Sequence, residues 1–142
     1  MKKFFRLLVA TMLLAVTATA LCSCGIPSDS AKAKENLNKN KYTVSEEIAT
    51  TAVKAACLVP YGISFYNNIE TALWAVNSDG DNILIVYCKD NDSATKVNDI
   101  VKTIYESINE SAKENDSKAD VKSGKSGKVV YIGTSAGVKA AG

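Results

Sequence analysis

A chain of 142 residues allows one domain at most, and 17 Lys and Arg against 15 Asp and Glu leave it close to neutral. Near-neutrality excludes the basic footprint with which proteins hold nucleic-acid phosphates. The absence of His excludes His-based acid–base catalysis, His-containing triads and His-containing metal sites.

The first element is an apolar run from Leu7 to Leu21, preceded by Lys2, Lys3 and Arg6. A positive start, an apolar stretch and a small-residue exit predict a secretory signal peptide over 1–23. The run falls short of the ~20 apolar residues that span a bilayer comfortably. Leu21-Cys22-Ser23-Cys24 resembles the bacterial lipobox: Leu at −3, a small residue at −1, then Cys. The resemblance implies that signal peptidase recognises Leu21 and Ser23, and that Cys24 becomes the diacylglyceryl-modified N-terminus. Cys22 leaves with the signal peptide; modification at Cys22 instead would put bulky Leu21 at −1. The expected location is the extracytoplasmic face of the cell membrane, where two acyl chains suffice for stable anchoring. Of the 17 basic residues three lie in the signal peptide, and none of the 15 acidic ones does, so the remainder carries a formal charge of −1. Arg6 is the sole arginine, so bidentate Arg clamps are excluded as well.

Residues 24–41, running "CGIPSDSAKAKENLNKNK", are polar and charged. Such a composition predicts a disordered tether with a frayed helix near Ala31–Leu37, holding the domain roughly 20–25 Å from the bilayer. The domain is then 42–142. Thr43-Val44-Ser45-Glu46 fits a capping box that starts a helix, and Pro60 predicts its end near Leu58. "TALWAV" (71–76) and "ILIVYC" (83–88) read as strands joined through Asp79-Gly80. Val97, Ile100, Val101, Ile104, Tyr105 and Ile108 follow the spacing of one helix face. Asp92 or Ser93 is its expected cap. Residues 115–128 read as a polar loop, 129–133 as a third strand, and "TSAGVKAAG" as a short turn or single helical turn. The expected fold is α+β in the order α-β-β-α-β, a three-stranded sheet packed with two helices. Both central strands look apolar on both faces, so two helices would leave part of the sheet uncovered.

Several groups invite chemistry. Cys57 and Cys88 either pair as a disulfide, as extracytoplasmic cysteines often do, or stay buried as free thiols. Ser93-Ala94-Thr95-Lys96 matches S-x-x-K without its companion motifs, which reduces it to a helix cap. Gly124-Lys125-Ser126 lacks the earlier glycine of a P-loop. Gly133-Thr134-Ser135-Ala136-Gly137 follows a strand as a phosphate cradle would, but little chain remains to form the helix behind it. The acidic pairs Asp79/Asp81 and Asp90/Asp92 lack the other ligands of a calcium loop. No metal site and no cofactor are expected. Tyr61, Phe65, Tyr66 and Trp74 are candidates for a partner surface, with core packing as the alternative.

The stretch from Tyr61 to Ile108, a polar gap and then "KVVYIGTS" resembles a group of small Gram-positive lipoproteins that carry a C-terminal domain of unknown function. The resemblance implies a lipobox, a strand pair, a long amphipathic helix and a last strand, and it implies no catalytic residue. The functional expectation is a non-catalytic binding or adaptor module at the cell envelope, with a protein or glycan partner. The alternatives are a self-associating surface lipoprotein and a small thiol-dependent enzyme.

Overall fold

The computed structural model describes residues 25–114 and 120–142. The signal peptide expected over 1–23 and the sites Leu21, Ser23 and Cys24 lie outside the described residues.

The elements in chain order are α1 (Ser30–Lys39), β1 (Thr43–Ser45), α2 (Glu47–Tyr61), a 3-10 helix (Ile63–Asn68), β2 (Ile69–Val76), β3 (Asn82–Cys88), α3 (Asn91–Glu114), β4 (Lys122–Ser126), β5 (Val129–Gly133) and α4 (Ser135–Ala141). The class is α+β as expected. The sheet has five strands rather than three, all antiparallel, in the order β1-β2-β3-β5-β4. The unbroken apolar β3 lies at its centre, where both of its faces are buried.

Each face has its own core. Ala72, Val86, Cys88 and Val130 meet Ala49, Val53 and Cys57 of α2 and Ala94, Val97 and Val101 of α3. On the opposite face Leu73, Ala75, Ile83, Ile85, Tyr87 and Val129 meet Ala33 and Leu37 of α1 and Ala141 of α4. This corrects the expectation of two helices: four cover the sheet, two on each side.

The segment 24–41 expected as a tether is mostly α1, and the folded unit begins near Ile26 rather than Tyr42. Asp29 caps α1 by accepting from the Ala31 amide at 2.9 Å, and Leu37 is fully buried. Two apolar residues one turn apart, Ala33 and Leu37, are enough once a sheet face receives them. The capping box at Thr43 is also overturned. Thr43–Ser45 pairs with β2 as an edge strand, while the Glu46 carboxylate turns to Lys34 at 3.0 Å and Thr71 at 3.2 Å. Backbone pairing to β2 and an ion pair outweighed a local cap. Helix α2 runs through Pro60 to Tyr61 and stops at Gly62, whose φ of 78° terminates it. Asp90, rather than Asp92 or Ser93, caps α3, accepting from the Ser93 amide at 2.7 Å. The expected polar loop contains β4, which turns into β5 through Gly127 (φ 60°) and Lys128.

Candidate functional site

The four aromatic candidates do not form one surface. Phe65 is core, 3% exposed. Tyr61 packs against it with the rings tilted 42° and their centroids 4.9 Å apart, and donates its hydroxyl to the Lys96 carbonyl at 3.0 Å. Tyr66 is half-exposed beneath the Lys54 ammonium, 4.4 Å from the ring centroid. Trp74 stands apart from these and is 41% exposed.

Trp74 borders an apolar groove of about 300 Å³. One wall is the side of α2 that carries Ile48, Ala49, Ala52, Val53 and Ala56; Trp74 of β2 and Leu84 of β3 complete the lining. Trp74 and Leu84 are cross-strand partners and present their side chains on the same face. The small side chains of Ala49, Ala52 and Ala56 keep the helix flank low, so the Trp74 ring is left partly open. Ile48, at the rim, is 75% exposed. Every lining side chain is apolar. Ile48, the alanines and Leu84 escaped the sequence-level choice of partner residues. The alanine-rich arc of the first long helix was their signal.

A second, larger groove of about 590 Å³ lies beside α2 and is polar. Its polar groups bind one another. Glu46 holds Lys34 and Thr71, and Thr50 Oγ1 accepts from the Ala72 amide at 2.9 Å and donates to the Glu46 carbonyl at 2.7 Å. The hydrogen bond from Lys34 holds the Glu46 carboxyl below its ordinary value. This network pins the start of α2 to the edge of β2.

Cys57 and Cys88 are free thiols in the same core cluster, so the disulfide expected as one alternative is not formed. Burial pushes the Cys57 thiol up and the Cys88 thiol up to about 12. A thiol so far from ionisation is a poor nucleophile. The phosphate-cradle geometry at Gly133–Gly137 is filled by the chain itself. The Thr134 amide donates to the Asn82 carbonyl at 2.8 Å, and Thr134 Oγ1 accepts from the Asn82 and Gly137 amides, both at 3.2 Å. A Cβ on Gly133 would stand 2.5 Å from the Asn82 carbonyl oxygen, so this glycine serves close packing. Among the described residues no group of three or more His, Cys, Asp or Glu is placed to hold a metal. None of the described helices is long and apolar enough to cross a membrane.

No family model, curated protein or solved structure matches the chain.

The path of the chain toward Cys24 bears on how the groove is presented. Ile26 is buried in the α1-side core, and Tyr87 Oη donates to the Pro27 carbonyl at 2.9 Å. Gly25 therefore leaves the domain beside Tyr87, on the face opposite the groove. It leaves near the Cys88 end of β3, about 13 Å along the strand from Leu84 at ~3.3 Å per residue.

Proposed function

We propose that this chain is a membrane-anchored extracytoplasmic lipoprotein, lipidated on Cys24, whose domain is a non-catalytic binding module at the cell envelope. The observation that carries the reading is the Trp74 groove, which is lined by apolar side chains only and opens on the face away from the chain's exit toward Cys24. A half-exposed Trp in an apolar groove is the kind of feature that anchors a binding energy hot spot. Apart from the Trp74 indole N–H, no side chain of the groove can hydrogen-bond, which favours the apolar side chains of an envelope protein over a glycan. The up-shifted thiols speak against a thiol enzyme.

The test has two parts. Metabolic labelling with a fatty acid is expected to mark the wild type and not Cys24→Ala; equal labelling overturns the anchor. A photo-crosslinking residue at Ala52 is expected to give, on intact cells, one discrete adduct that Trp74→Ala abolishes. An adduct pattern indifferent to Trp74 overturns the binding role of the groove.

Self-association is the second reading, favoured by Ile104 and Ile108. They continue the buried stripe of Ala94, Val97 and Val101 along α3 yet are 45% and 38% exposed. Sedimentation of the wild type against Ile104→Ser/Ile108→Ser decides it, because only this reading expects a concentration-dependent mass that the double variant loses.

A further inference from the structure

We propose that the end of the domain formed by the β4–β5 turn, the close of β3 and the chain's exit at Gly25 rests directly on anionic phospholipid headgroups. This rests on the lipidation of Cys24. Ile26 is fixed in the core, so only Gly25 separates a held residue from Cys24. Two steps of ~3.8 Å, the Cys24 side chain and the glyceryl group on its sulfur are the whole of that leash. The headgroup layer of one leaflet, about 5–7 Å thick, takes up much of it. A lipidated Cys24 therefore leaves little room for the domain to stand off, and α1 has consumed the chain that a tether needs.

The surface at this end suits that contact. Lys89, Lys125 and Lys128 are exposed there. The Lys128 carbonyl accepts from the Cys88 amide at 2.9 Å, which sets the turn beside the end of β3, and Lys89 follows Cys88 directly. The acidic groups at this end are Asp29, Glu70, Asp90 and Asp92, the last exposed in the first turn of α3. Asp29 and Asp90 are committed to capping α1 and α3, and the positive N-termini of these helices offset part of the charge of Asp29, Asp90 and Asp92, which the three lysines have to outweigh. Glu70 shares a cleft with Lys128. The lysine ammoniums are long and mobile, and anionic headgroups attract them over a Debye length. Seated in this way, the domain holds the Trp74 groove to one side, about 13 Å along β3 from the seated end.

The chain has one tryptophan, which makes depth measurable. Lipidated protein beginning at Cys24 is reconstituted in vesicles of phosphatidylglycerol and phosphatidylcholine, with and without phosphatidylcholine that carries a nitroxide on its headgroup. The reporter is Ser126→Trp in a Trp74→Phe background, with Ser28→Trp as a second reporter on a different segment. The nitroxide is expected to quench Trp at 126 and at 28 by more than half while the wild-type Trp74 loses little. Adding Lys89→Gln, Lys125→Gln and Lys128→Gln is expected to remove most of that quenching. Unquenched reporters in protein that floats with the vesicles overturn the seating and leave the anchor standing. Protein that fails to float overturns the anchor and the seating with it. Quenching undiminished by the three substitutions overturns the role of the lysines.

Discussion

Replacing Leu37 by Ala tests whether residues 26–41 belong to the domain. Leu37 is fully buried among Ala33, Tyr42, Leu73 and Ala75, and its carbonyl accepts from the Tyr42 amide at 3.0 Å. Truncation removes three carbons from a dry site, a transfer loss of about 2.4 kcal/mol at ~0.8 kcal/mol per CH₂. The unfilled cavity adds to this, for a total of about 3–4 kcal/mol. For a domain of about 120 residues, a loss of ~3 kcal/mol lowers Tm by roughly 12 °C. Urea and thermal unfolding of the two proteins measure it directly. Lys39→Ala on the exposed side of the same helix is the control, expected within about 0.5 kcal/mol of the wild type. A Leu37→Ala change of under ~0.5 kcal/mol refutes the packed helix and restores a disordered tether.

Gly137→Ala drives a methyl group into the Asn82 carbonyl. It is expected to cost about 1–3 kcal/mol in urea unfolding, and an unchanged midpoint contradicts the close approach. Lys34→Met tests the Glu46 ion pair through pH. Glu46 is held below its ordinary value of 4.5, first by the Lys34 hydrogen bond, so its contribution is present above that value and lost as pH falls through the lowered one. With both side chains more than 40% exposed, the variant is expected to lose at most about 1 kcal/mol at pH 7 and nothing near pH 2. The same difference at both pH values rejects the pairing. Both thiols are expected to resist iodoacetamide at about pH 8 in the folded state and to react fully in denaturant. Rapid labelling of either in native protein would contradict their burial.

Elements rich in apolar residues were legible from sequence. β2, β3 and β5 declare themselves as runs of β-branched and aromatic residues, and α3 as an apolar stripe at period 3.6. Three of those that escaped, β4, β1 and α1, have few apolar residues or none. β4 reads Lys-Ser-Gly-Lys-Ser, and it is a strand because a two-residue turn folds it onto β5. β1 is three residues long and exists through its pairing with β2. α1 buries just Ala33 and Leu37, a signal too sparse to stand out from a polar segment. For β1 and α1 a distant partner decides the local state, which no short window along the chain contains, and for β4 the neighbouring strand β5 decides it. The site was half legible for the same reason. Trp74 was identifiable by type, but Tyr61, Phe65 and Tyr66 differ from it only in where the fold puts them.

Asn36 and Asn40 of α1 donate to the carbonyls of Ala141 and Ala140, joining residues as far as 105 positions apart. The layer that covers one side of the sheet is thus completed by α1 and α4 together. A chain emerging from synthesis exposes Leu73, Ile83 and Ile85 until α4 has followed. Contacts of such separation slow folding and lengthen the time an apolar sheet face stays open to aggregation. Maturation of this small domain therefore has a vulnerable interval that lasts until the seven residues of α4 arrive.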